Sequence, residues 1–173
     1  MMYITFVCTG NICRSPMAEL YSRSQMPASH FSFDSCGTRA ISNKSIHPFS
    51  AEYLTELNVT SNNFRSRLLN RKIISATDLI VVMESVHLTQ MSRMYPSAVS
   101  KAVTLGALSE VALNCPIKNM DELLSGLKKI RSNGPDIPDP VSFERAQYFD
   151  VIESLRKRLD LTLQLLDRLS IER

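Results

Sequence analysis

Cys8 and Arg14 are the ends of one short run, Cys8-Thr9-Gly10-Asn11-Ile12-Cys13-Arg14-Ser15. A thiol and a guanidinium at the two ends of a tight loop suit nucleophilic attack on a bound oxyanion. The guanidinium is permanently charged and two-pronged, and the N–H groups of a loop that feeds a helix N-terminus add a preorganised anion cradle. Such a field favours the ionised, nucleophilic form of Cys8, and the Ser15 hydroxyl can add a hydrogen bond to the sulfur. Thr9, Gly10, Asn11, Ile12, Cys13 and Ser15 are therefore the expected phosphate-binding set, with Gly10 expected to let the backbone turn inward. Far along the chain, Asp139 sits between Pro138 and Pro140. A carboxyl on so stiff a loop can protonate a leaving alkoxide or phenoxide and then activate water. Asp136 competes for that role by spacing alone. A cysteine and an arginine six positions apart recur by chance, so the loop's context has to carry the reading.

The surrounding elements supply that context. Tyr3 to Cys8 is rich in β-branched and aromatic residues and stops at Thr9-Gly10-Asn11, a strand followed by a turn. Ser15-Pro16 then opens a helix, read from Met17 to Met26, with Ser15 as its cap and Glu19 complementing its dipole. His30 to Ser35 alternates as a second strand before Gly37-Thr38. Pro48 to Asn58 has a helical apolar face. Leu79 to Met83 is an unbroken apolar run, as in a strand buried on both faces of a parallel sheet, and Ala102 to Leu105 is a weaker strand. Leu108 to Ile130 reads as helix interrupted at Asn114-Cys115-Pro116, Arg131 to Ser142 as a proline-bearing loop, and the chain from Phe143 onward as a long amphipathic helix. Strands alternating with helices predict an α/β sandwich with a parallel sheet. Ligands in such sheets sit beyond the carboxyl ends of the strands, where Cys8 lies.

At 173 residues and 44% hydrophobic composition the chain fits one domain, 1–173. A formal charge of +3 is too small to imply nucleic acid and compatible with an anionic substrate. No signal-like or membrane-spanning stretch is read, so a cytoplasmic protein with no membrane partner is expected. Cysteines at 8, 13, 36 and 115 lack metal-ligand spacing. Free thiols, no metal and no cofactor follow.

The octet Cys8 to Ser15, continuing Pro16-Met17-Ala18-Glu19, resembles the signature of the low-molecular-weight protein-tyrosine-phosphatase family. Ser35-Cys36-Gly37-Thr38, Arg65-Ser66-Arg67-Leu68, Thr77 to Met83 and Asp139-Pro140 extend the resemblance over nearly the whole chain. It implies a three-layer Rossmann-like sandwich on a four-stranded parallel sheet. It also implies a two-step reaction through phosphocysteine, with Cys8, Arg14 and Asp139 catalytic and Asn11 bracing the loop. Phosphorylated protein or a small aryl phosphate would be the partner, and oxyanions such as phosphate and vanadate the inhibitors. Against the family pattern, Val141-Ser142 follows Asp139-Pro140 where many members carry a tyrosine, and Ile41 stands where an aromatic is common. Phe64 replaces a histidine that often supports the loop. Ile41 and Val141 are thus the expected substrate-pocket positions, short of aromatic walls. In the related arginine phosphatases the position of Ile12 is a threonine, which implies poor use of phosphoarginine here. The stretch from Ser97 to Pro135 is longer than in compact members.

Other readings compete. An arsenate reductase shares the cradle but needs two more relay cysteines, and Cys36 and Cys115 do not stand where related reductases keep theirs. A phosphoanion-binding module, or a redox sensor in which Cys13 captures oxidised Cys8, is the further alternative. Cys36 and Cys115 read as small core residues, His30, His47 and His87 as surface or capping residues, and Arg65, Arg67, Arg71 and Lys72 as a solvated face.

Overall fold

The computed structural model describes residues 1–27 and 30–171. Four parallel strands form one sheet: β1 (Met2–Cys8), β2 (Phe31–Gly37), β3 (Leu79–Val82) and β4 (Ala102–Thr104), in the order β2-β1-β3-β4. Alternation along the strands separates two cores. Met2, Ile4, Phe6, Phe31, Phe33, Leu79 and Val81 face α1 (Arg14–Gln25), α2 (Pro48–Glu56), α5 (Leu105–Asn114), α6 (Met120–Ile130) and α7 (Arg145–Ile171). Val7, Cys36, Ile80 and Val82 face α3 (Arg71–Ala76), α4 (Ser85–Met94) and a 3-10 helix over Pro96–Lys101. The expected three-layer sandwich is what the chain forms. Among the described residues no helix is long and apolar enough to cross a membrane.

Element bounds differ from expectation at informative places. Helix α1 starts at Arg14, three residues early, with Cys13 as its cap and no side-chain cap bond. Ser15 is therefore inside the first turn rather than capping it, and its hydroxyl is free to point at the sulfur of Cys8. Glu19 does not sit at the dipole's end. It is 5% exposed in the second turn, accepting from Ser35 Oγ at 2.5 Å and paired with Arg23 at 2.8 Å. Helix α3 has no periodic signature in its six residues; Asn70 caps it through Ile73 N. His47 caps α2 and His87 lies in the first turn of α4, in keeping with the capping reading. Cys36 is fully buried, whereas Cys115 is exposed at the end of α5 because the helix stops there.

Glycine placement ties the acid loop to the core. A Cβ on Gly106 would lie 2.1 Å from Pro135 O, and one on Gly134 would lie 2.4 Å from Gly106 C. Backbone thus packs on backbone where α5 meets the loop carrying Asp139. Gly126, in α6, meets nothing within 4 Å. Gly106→Ala should cost about 1–3 kcal/mol of overpacking, a Tm drop of roughly 2–12 °C for a chain of this size. Gly126→Ala should be neutral or stabilise by up to about 1 kcal/mol. Thermal unfolding of the two variants checks the contrast, and equal Tm values would remove the close approach as a constraint.

Candidate active site

The carboxyl ends of β1 and β2 are in register, Cys8 opposite Gly37, and the chain turns straight from Cys8 into α1. The turn's left-handed residue is Asn11, φ 53°, and no glycine has a positive φ. Gly10 was the expected pivot; a Cβ there would only touch the Ile12 side chain at 3.5 Å. Asn11 can hold this conformation because its carboxamide is bonded at both ends. Nδ2 donates to Ser15 Oγ (2.9 Å) and Ser35 Oγ (2.8 Å), and Oδ1 accepts from Arg67 N (2.7 Å). The glycine the loop does need is Gly37, whose Cβ would stand 2.4 Å from Thr9 O and 2.9 Å from Asn11 N. Thr38 N and Arg39 N then bond Cys8 O and Thr9 O, at 2.9 and 3.0 Å.

Around this loop lies a cavity of about 170 Å³ lined by Cys8, Thr9, Gly10, Ile12, Cys13, Arg14, Asp139 and Val141. Cys8 Sγ is 2.9 Å from Ser15 Oγ and accepts from Asn11 N at 3.3 Å. Asn11 and Ser15 are fully buried and stand behind the cavity rather than in its wall. Arg14 is 1% exposed. One of its terminal nitrogens donates to Glu84 Oε2 (2.5 Å) and Ile137 O (2.7 Å), the other to Asp139 Oδ2 (2.8 Å), and its buried Nε has no partner. A buried guanidinium N–H left unpaired is costly, and an oxyanion in the cavity can satisfy it.

Asp139 and Asp136 are separated by their surroundings. Asp136 accepts from Ser85 N (2.8 Å) and Ser85 Oγ (2.9 Å) at the start of α4, so both its oxygens are engaged. Asp139, whose Oδ2 pairs with Arg14 and whose Oδ1 accepts from Val141 N at 3.3 Å, lines the cavity, and Asp136 does not. Its loop is pinned by Ile137 N on Met83 O at 2.8 Å. Of the two expected pocket positions, Val141 lines the cavity and Ile41 does not. Ile41 is 70% exposed, turned outward by the bend in which its carbonyl accepts from Ser66 Oγ at 2.6 Å. No aromatic ring lines the cavity among the described residues.

Several residues that matter here have contacts that the sequence pattern does not give. Arg67 is a partly exposed charge that is also tied down: its guanidinium pairs with Asp34 and donates to Ser35 O, while its backbone holds Asn11. Phe64 packs into the core at 8% exposure and takes no part in the brace. Behind the loop, Tyr148 shares a 2.7 Å bond with Ser50 Oγ, stacks on His47 at 4.8 Å, and is in hydrogen-bond contact with the Cys13 thiol. Burial pushes that thiol up to about 12. His87 is fully buried against Thr9, and burial, reinforced by the Arg14 charge, lowers its pKa to about 4.

Because His87 titrates near 4 when folded and near 6.5 when unfolded, the unfolded chain binds the extra proton between those values. Its contribution to stability is complete above about pH 6.5 and is lost as pH falls toward 4, by up to about 3 kcal/mol. Urea unfolding of the wild type at pH 7 and pH 4.5 should show this loss, and His87→Asn should flatten the slope even though His47 still titrates. An unchanged slope would mean His87 is not held neutral by burial.

The sequence pattern of the low molecular weight phosphotyrosine protein phosphatase family matches residues 3–172. A Klebsiella pneumoniae protein bearing the low-molecular-weight protein-tyrosine-phosphatase name is 30% identical over 128 residues, 73% of this chain and 88% of its own. In three dimensions the chain is similar to the YwlE arginine phosphatase of Geobacillus stearothermophilus, with TM-score 0.80, 22% identity and coverage of 100% and 97% of the two chains. It is also similar to Vibrio vulnificus Wzb in complex with benzylphosphonate, with TM-score 0.74, 23% identity and coverage of 94% and 97%. A pattern matched over nearly the whole length, on the same fold, places this chain in the low molecular weight phosphotyrosine protein phosphatase family of cysteine-dependent hydrolases.

Proposed function

We propose that the chain hydrolyses aryl phosphate monoesters, protein phosphotyrosine among them, through a phosphocysteine intermediate. The observation that carries this reading is one small cavity shared by the Cys8 sulfur, the Arg14 guanidinium with its unpartnered Nε, and the Asp139 carboxyl. The Cys8 thiolate attacks phosphorus in line, forming the S–P bond as the bond to the leaving oxygen breaks. Asp139 gives its proton to that oxygen, then takes one from the water that attacks phosphocysteine, releasing phosphate and the thiolate. Ser15 serves the sulfur in both steps. Asn11 Nδ2 donates to Ser15 Oγ, so the hydroxyl proton is left to choose between Cys8 Sγ at 2.9 Å and Cys36 O at 3.3 Å. The thiolate draws it.

The Arg14–Asp139 pair supports the acid role. A doubly charged phosphate competes with Asp139 for Arg14, which releases the carboxyl toward the leaving oxygen. Vanadate and phosphate, which fit the same cradle, are the expected inhibitors, and the benzylphosphonate complex of Vibrio vulnificus Wzb is consistent with oxyanion binding on this fold. Four free cysteines suit a reducing compartment, the cytoplasm. With Ile12 and Val141 in place of polar and aromatic wall residues, a phenyl ring loses stacking worth about 0.5–1.5 kcal/mol per contact, so phosphotyrosine should bind weakly.

Turnover of phosphotyrosine, phosphoserine and phosphoarginine peptides, measured side by side, tests the substrate. Phosphotyrosine should lead, and a clear preference for either other peptide sinks the reading. Cys8→Ser should abolish activity. Asp139→Asn should slow poor leaving groups by roughly 10²–10⁴-fold and activated aryl esters much less. Uniform loss across leaving groups would make Asp139 a structural residue.

The same loop supports a reversible oxidation. Peroxide converts Cys8 to a sulfenic acid, and the Cys13 thiol displaces water from it to give a Cys8–Cys13 disulfide. Since burial holds Cys13 protonated at neutral pH, capture should quicken as pH rises. Activity should return with dithiothreitol in the wild type and return poorly in Cys13→Ser. Equal recovery in both proteins would reduce Cys13 to a packing residue.

A further inference from the structure

The face of the cradle formed by Thr9 has a hydrogen-bond polarity that the main reading does not use. Glu84 N lies 3.1 Å from Nδ1 of His87. A backbone amide can only donate, so Nδ1 is the bare nitrogen of the ring. Burial keeps the ring neutral at physiological pH, which puts its one proton on Nε2. Nε2 is 3.0 Å from Thr9 Oγ1, so the imidazole donates and the threonine oxygen accepts. The hydroxyl proton of Thr9 must then find an acceptor elsewhere, and among the described residues Oγ1 has no second partner. Thr9 lines the cavity beside Cys8, Arg14 and Asp139.

We infer that His87 fixes the direction of this bond so that the Thr9 hydroxyl donates to a non-bridging phosphoryl oxygen of the substrate. Thr9 is then a binding residue through its side chain as well as its loop position, and His87 is a positioning residue that never touches the phosphate. Accepting from an imidazole N–H polarises the hydroxyl and makes it a stronger donor. The Thr9 methyl group is fixed by the same contact, so the donor is preorganised when the oxyanion arrives. The inference rests on the phosphatase reading and adds to it a donor supplied through the β3–α4 junction, 75 or more residues away in sequence.

Steady-state kinetics on p-nitrophenyl phosphate with vanadate inhibition tests it in Thr9→Val, Thr9→Ser, His87→Phe and the Thr9→Val/His87→Phe double variant. Thr9→Val should lose about 10–100-fold in kcat/KM and weaken vanadate by a similar factor, below the loss for a fully buried oxyanion donor because this one is neutral and at the wall. Thr9→Ser, which keeps the hydroxyl, should recover most of both. His87→Phe should reduce activity in the wild-type background and add little in the Thr9→Val background, since the two act through one hydrogen bond. Thr9→Val that retains wild-type kcat/KM and vanadate affinity overturns the inference, as does a His87→Phe loss of equal size in both backgrounds. If His87→Phe does not fold, the Thr9 pair decides alone, because those variants leave the Glu84–His87 contact in place. An active wild type abolished by Cys8→Ser but indifferent to Thr9→Val leaves the phosphatase reading standing. An inactive wild type overturns both.

Discussion

Burying a guanidinium is costly unless nearly all of its donors are met, and Arg14 is buried to 1% exposure. Its partners come from places far apart in the chain: Glu84 after β3, and Ile137 O and Asp139 on the loop before α7. Three segments are thus drawn to one point by the need to satisfy a single charge. Of its three nitrogens, Nε is the one without a protein partner, available to an oxyanion in the cavity.

Around that charge the loop is held by contacts of a different kind. Asn11 keeps a left-handed backbone because Ser15, Ser35 and Arg67 engage its carboxamide. Gly37 lets β2 approach the loop closely enough to bond Cys8 O and Thr9 O. Phe64 packs into the core, and the brace rests on Arg67 N and two serine hydroxyls. On the acid side, Gly106 and Gly134 let backbones touch, and Asp136 caps α4. Asp139 pairs with Arg14 through Oδ2 and accepts from Val141 N through Oδ1, while its carboxyl lines the cavity.

The wall of the cavity departs from the rest in being sparse. Val141 and Ile12 are aliphatic, Ile41 has turned outward, and among the described residues Thr9 is the only hydroxyl side chain lining it. Sulfur, guanidinium and carboxyl share the cavity, and no aromatic ring lines it among the described residues.

Residue type and local spacing by themselves determined the parts that are local in the chain. The strand ending at Cys8, the octet up to Ser15, the apolar run of β3, the long α7 and the proline-flanked Asp139 all lie within contiguous stretches whose pattern reflects one hydrogen-bond ladder or one loop. The alternation of those elements was also enough for the parallel sandwich, because crossover handedness and two-sided burial leave few other arrangements. Tertiary structure alone decided which residue bends the loop. Gly10 carries the glycine signal, but Asn11 takes the left-handed conformation because partners 4, 24 and 56 positions away bond its side chain. It likewise decided that Arg67 is a brace as well as a surface charge, that Asp136 is a cap and Asp139 the carboxyl lining the cavity, that Ile41 leaves the pocket, and that His87 lies against Thr9 across 78 positions. None of these follows from spacing, since each depends on where β3, α4 and the acid loop meet, and a contact across the sheet leaves no period in the chain.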